Sequence, residues 1–201
     1  MIKVGITGGI GSGKSTVCEV WAGQGGFVLN ADALAKQLMA GNEDVRKELI
    51  GAFGPAAFHA DGSLNRAHLA EQAFRRDRVD ELNAIVHPRL PSLLRQKMRQ
   101  ASREGYKVGI YEAALLLELT KDRLDYFDYI VLVLADEKRR LRWVSKRDDS
   151  ATANVKSRVD KQRNFEQAVS QAHIVIRNNG TLAQLKGKAR RVFDTFLSSS
   201  Y

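Results

Sequence analysis

The chain has 201 residues, of which 44% are hydrophobic and 27% charged, the proportions of a globular protein of one ordinary domain or one with a small appended subdomain. Its 3 prolines and 16 glycines exclude collagen-like and Pro/Gly-rich disordered chains. The 32 Lys and Arg against 23 Asp and Glu give a formal charge of +9, a bias toward polyanions: nucleic acid, an acidic membrane surface or phosphorylated metabolites.

Residues 2–7 form a β-prone run that ends in the glycine-rich stretch 8–13. Val17, Val20 and Trp21 then repeat at helical spacing until the glycines of 23–26. Residues 27–29 read as a second strand, with Asn30-Ala31-Asp32 at its carboxyl end. From 33 to 103 the pattern is helical, broken at 51–62 and at His87-Pro88. Two more strands are expected at 107–111 and 129–134, a basic stretch of helical period at 137–171, a last strand at 173–176 and an amphipathic helix at 182–196. Strands alternating with helices predict an α/β fold, a parallel sheet with helices on both faces, here carrying two helical insertions. The expected division is a core of 1–32, 106–136 and 172–201, a helical insertion at 33–105 and a basic helical segment at 137–171.

The apolar runs 113–117 and 130–135 are far shorter than the ~18 residues of a membrane span. The chain opens directly on a strand pattern, without a basic leader and long apolar region. A cytoplasmic protein with no membrane partner is therefore expected. The single cysteine, Cys18, allows no internal disulfide and reads as a small buried residue on a helix.

Gly8-Gly9-Ile10-Gly11-Ser12-Gly13-Lys14-Ser15 fits G-x-x-x-x-G-K-[ST] between an expected strand and an expected helix. Glycines let the backbone curl so that successive N–H groups face phosphate oxygens, and the following helix adds the positive end of its dipole. Gly9, Gly11, Ser12, Gly13 and Thr16 thus form an ATP cradle with Lys14, which reaches the β- and γ-phosphates, and Ser15, whose hydroxyl suits Mg²⁺. A dinucleotide site is excluded, since no G-x-G-x-x-G spacing occurs. Asp32 follows the second strand, where ligands of open α/β sheets collect. A carboxylate there either orients an attacking hydroxyl and takes its proton or caps the next helix; the residues alone leave both roles open.

Beyond these motifs the sequence resembles the dephospho-coenzyme A kinase family. The family opening G-[IL]-T-G-G-I-G-S-G-K-S-T is matched from Gly5 to Thr16, and D-A-D-x-x-A-R appears as Asn30-Ala31-Asp32-Ala33-Leu34-Ala35-Lys36. L-N-x-I-x-H-P is matched from Leu82 to Pro88, D-x-P-L-L-F-E appears as Glu112 to Glu118, and R-x-x-x-Q as Arg158 to Gln162. Asn30, Lys36, Glu112 and Ala114 depart from the family pattern. The resemblance implies phosphoryl transfer from ATP to the ribose 3′-hydroxyl of dephospho-CoA, on a P-loop kinase fold whose insertion binds the coenzyme and whose basic segment is a lid. It assigns the base to Asp32 and places His87, Arg89, Glu112 and Glu118 by the substrate.

Lys138, Arg139, Arg140, Arg142, Lys146 and Arg147 crowd the start of that lid. A planar, permanent guanidinium suits the charge spread over a transferring phosphoryl group. Arg142 and Arg147 are expected to serve it, with Arg139 binding ATP; Asn178 and Gly180 are expected beside the adenine. Three other readings compete: a different nucleoside or nucleotide kinase, a P-loop switch protein that binds nucleic acid, and a non-catalytic homologue, which Asn30 and Glu112 raise and the intact Lys14, Ser15 and Asp32 oppose. The acceptor-side motif at 82–88 favours a small-molecule kinase with no nucleic-acid partner.

Overall fold

The computed structural model describes residues 1–118, 124–148 and 165–198, and of Phe74, Lys146, Arg147 and Asp148 the backbone alone. Arg158 and the 158–162 motif lie outside the described residues. The chain divides into two compact units, residues 1–29 with 101–201 and residues 30–100.

The first unit is built on a five-stranded parallel sheet of β1 (Ile2–Thr7), β2 (Phe27–Asn30), β3 (Val108–Glu112), β4 (Tyr129–Leu134) and β5 (Ile174–Arg177). Their order is β2-β3-β1-β4-β5, with β1 parallel to both β3 and β4 and β4 parallel to β5. Strands covered on both faces read as unbroken apolar runs, and β3 and β4 are buried almost throughout. From β1 the chain crosses to one side of the sheet and from β4 to the other, so a crevice opens past their carboxyl ends.

Helices α1 (Lys14–Gly23) and α8 (Leu182–Ser198) pack against each other over one core with Val4, Ile6, Val131 and Val133. Trp21, Phe193 and Phe196 fill it; the Trp21 indole N–H donates to the carbonyl of Ala189 at 2.8 Å. A buried indole needs such an acceptor. The strand ends differ slightly from expectation: β3 includes Glu112, and β5 runs one residue later than expected.

The second unit is helical: α2 (Ala31–Gly41), α3 (Glu43–Phe53), α4 (Arg66–Ala70) with a π turn at 71–75, α5 (Val79–Val86) and most of α6 (Leu90–Arg103). Val45, Leu49 and Phe53, spaced by four, form its core with Leu38, Phe58, Leu69 and Val86. Asn42 and Asn65 cap α3 and α4 through their side-chain oxygens. The helix break expected from Gly51 begins at Gly54, which takes a left-handed φ of 81° while Gly51 stays helical. An interior glycine costs a helix only about 1 kcal/mol, which the buried stripe on α3 outweighs.

In the first unit, α7 (Glu137–Asp148) opens the basic segment, and a 3₁₀ stretch (Phe165–Gln171) precedes β5. Among the described residues no helix is long and apolar enough to cross a membrane.

Candidate phosphate-binding site

The chain leaves β1 at Gly8, whose φ of 147° and close approach to the Val133 carbonyl leave no room for a Cβ. At Gly13, φ is 101°; this residue starts α1 without any side-chain cap. The first N–H groups of α1 are thereby turned toward a ligand rather than a cap. Lys14 curls back so that its Nζ donates to the carbonyls of Gly8 (2.7 Å) and Gly9 (3.2 Å), while the Ser12 N–H closes on the Gly9 carbonyl at 3.1 Å.

Two side chains from distant parts of the chain hold the same loop. Arg140 Nε donates to the Ile10 carbonyl at 2.9 Å, and Asn178 Nδ2 donates to the Ser12 carbonyl at 2.9 Å. Carbonyls that would repel phosphate are thus engaged elsewhere. Beneath the loop, Ser15 Oγ donates to Glu112 Oε1 at 3.0 Å, and Glu112 is only 9% exposed. Of these residues Lys14, Ser15 and Asn178 line a cavity of ≈ 670 Å³, whose walls also include Gly11, Gly13, Thr16, Arg139 and Gly180. Arg139 Nη1 donates to the Gly180 carbonyl at 3.0 Å, and the Asp136 N–H to Asn179 Oδ1 at 3.1 Å. Trp143 and Leu185 supply apolar wall on that side, as a nucleobase requires.

Among the described side chains Arg140, rather than the expected Arg142, reaches the loop. Val144 of α7, with Leu141, packs on Ile10, and Arg140 lies one helical turn before Val144 on that face. Arg142 lies on the opposite side of the helix and is exposed. The few apolar positions of this basic helix carried the signal. The Arg147 side chain lies outside the described residues. Burial lowers the pKa of the Arg140 guanidinium, against the effect of nearby Glu137. A partly desolvated cation of this kind is well matched to an incoming anion.

Gly9 lies under the Arg140 guanidinium, where a Cβ would sit 2.6 Å from it, and Ser12 is buried. Cys18, also buried, is no nucleophile: burial pushes its thiol pKa far up, with Glu112 adding to the effect and Lys14 opposing it. Glu118 is exposed at the end of a 3₁₀ turn (Leu116–Glu118).

Asp32, His87 and Arg89 belong to the helical unit. Asp32 is exposed in the first turn of α2 and is not its cap, which corrects one of its two readings. Asn30 caps instead: its backbone is extended, and its Oδ1 accepts from the Ala33 N–H at 3.0 Å. The departure from the family's first Asp therefore keeps a good capping residue. His87 is exposed just past α5. Arg89 pairs with Glu48 and donates to the Ile85 carbonyl at 2.8 Å.

Comparison with known proteins agrees with this geometry. The family model described as CoaE: Dephospho-CoA kinase matches residues 2–184. A dephospho-CoA kinase of Salinibacter ruber is 41% identical over 194 residues, covering 96% of each chain. The crystal structure of TT1252 from Thermus thermophilus has a TM-score of 0.75 and 32% identity over 100% of this chain and 98% of that one. Dephospho-CoA kinase from Campylobacter jejuni has a TM-score of 0.67 over 96% of each chain at 19% identity, a likeness of fold.

Proposed function

The chain belongs to the dephospho-CoA kinase family, and on that premise we propose how its residues transfer a phosphoryl group from ATP to the ribose 3′-hydroxyl of dephospho-CoA, the final step of coenzyme A synthesis. The observation that carries the reading is the loop itself: Lys14 inside the curl, with Arg140 and Asn178 holding its carbonyls. Such a cradle binds the triphosphate through backbone N–H groups and the Lys14 charge. Arg139, Trp143 and Gly180 form the base side of the cavity.

Ser15 Oγ and Glu112 Oε1 lie 3.0 Å apart at the head of α1, a pair of hard oxygen donors that suits Mg²⁺. Ser15 and Glu112 are the side chains that would hold the ion. When bound, Mg²⁺ supplies charge neutralisation at the phosphates.

On the acceptor side, Asp32 orients the ribose hydroxyl and takes its proton as the new P–O bond forms. The helices of the second unit, with His87 and Arg89, bind the coenzyme, and α7 and the residues after it act as a lid that excludes water, a competing acceptor. Arg140 meets the charge of the transferring phosphoryl group, and the cytoplasm is the compartment.

Incubation with ATP and dephospho-CoA, followed by mass detection of phosphate gain on the acceptor, tests the reading. A preference of two orders of magnitude for any other alcohol would overturn it. Asp32→Asn is expected to lower turnover by about 10² or more with ATP binding largely intact. Near-normal turnover in that variant would remove Asp32 from the mechanism.

A further inference from the structure

The contact between Asn178 and the phosphate loop has a consequence for the peptide that follows Ser12. No peptide bond among the described residues is cis, and in a trans peptide the C=O and the next N–H point to opposite sides of the chain. Anchoring the Ser12 carbonyl on Asn178 Nδ2 therefore fixes where the Gly13 N–H points. Gly13 lines the cavity.

The backbone itself does not secure that orientation. Turning the Ser12–Gly13 plane over requires a change in φ at Gly13, and glycine populates both signs of φ almost equally. With the plane reversed, a carbonyl oxygen would meet the phosphates in place of an N–H donor. Something outside the loop has to choose between the two states.

Asn178 is built for that choice. Its side chain is 5% exposed, and its own N–H extends the sheet ladder to the Leu134 carbonyl at 2.6 Å. The neighbouring Asn179 is tied to the start of α7 through the Asp136 N–H. A carbonyl can only accept, so the amide must present its nitrogen to Ser12. The fit is close enough to exclude any side chain at Gly13, where a Cβ would lie 2.6 Å from Nδ2.

We propose that Asn178 is a positioning residue for phosphoryl transfer: its side-chain amide locks the Ser12–Gly13 peptide with the N–H aimed at the ATP phosphates. This rests on the reading of the loop as the ATP site and adds a specific agent that keeps it competent. Asn178 acts through Gly13 and so should affect the nucleotide more than the acceptor.

The test uses Asn178→Asp, which preserves shape but replaces the donor by an ionised acceptor facing a carbonyl. KM for ATP is expected to rise about tenfold and kcat to fall about tenfold, the effect of losing about one hydrogen bond at each stage. KM for dephospho-CoA should hold within about twofold. Lowering the pH should narrow the deficit relative to the wild type, because a protonated carboxyl regains a donor and burial raises its pKa into an accessible range. Asn178→Leu should show the same ATP-side loss without recovery in acid.

An unchanged KM for ATP in Asn178→Asp would overturn the proposal. So would equal losses for both substrates without acid recovery, the mark of a merely structural role. Should the variants fail to fold, NMR of the wild type decides: the Asn178 side-chain NH₂ must be protected from exchange, and the Gly13 amide must shift when ADP is added. Rapid exchange or a static Gly13 resonance would overturn the proposal. Failure of wild-type protein to phosphorylate dephospho-CoA would instead sink the family-based function, a separate and recognisable result.

Discussion

Arg78 in the helical unit and Arg140 beside the phosphate loop make the same kind of contact in different surroundings. Each donates to a backbone carbonyl, Arg78 to Ala52 at 2.7 Å and Arg140 to Ile10 at 2.9 Å. Arg78 is also laid over the Phe53 ring and bound by both oxygens of Glu81. Its pKa is raised, chiefly by the Glu81 hydrogen bond, whereas burial lowers that of Arg140. The Arg78 guanidinium is held by a carboxylate within its own unit, whereas that of Arg140 lies half-buried over Gly9 of the phosphate loop.

The sharpest way to break that contrast is at the loop. Lys14→Ala removes a cation and two carbonyl contacts, and turnover should fall by about 10²–10³ with weaker ATP binding and an unchanged circular dichroism spectrum. A mild effect would mean that the cradle is not the site of transfer. Arg140→Ala comes next, with turnover expected to fall at least about tenfold, while Arg142→Ala stays within about twofold of wild type in steady-state kinetics, as exposed substitutions usually do. Equal losses in the two variants would show that the face of α7 seen here is not the one that meets the phosphates.

The smallest effect belongs to the helical unit. Arg78 holds the Glu81 carboxyl below its ordinary pKa, so this pair's stabilisation is complete above the unfolded value of about 4.3 and is lost as pH falls through the folded one. Glu81→Gln should flatten that acid limb in thermal melts taken between neutrality and pH 3, and leave activity at neutral pH unchanged. Because Glu81 is exposed and Arg78 only half-buried, the difference in melting temperature should be small. A large activity loss would mark Arg78 and Glu81 as more than scaffold.

Much of this was legible along the chain. The strand–loop–helix at 2–23 is local: apolar strand residues, glycines where the backbone turns left-handed, then helical spacing. The cap of α2 was only half legible, since Asn30 and Asp32 both suit a cap and the choice depended on which held an extended backbone. Arg140 was legible in principle through its spacing from Val144, but six cations in ten residues mask that register.

The sequence by itself determined the class of the site, because a phosphate cradle needs small residues and a lysine within one short segment, and neighbours in the chain are neighbours in space. Only the tertiary structure decided which partners meet there: Glu112, expected by the acceptor, reaches Ser15 across 97 residues, and Asn178, expected beside the adenine, reaches Ser12 across 166. Parallel crossovers bring the carboxyl ends of β1, β3 and β5 to one edge of the sheet, and no local pattern states which side chains will meet there.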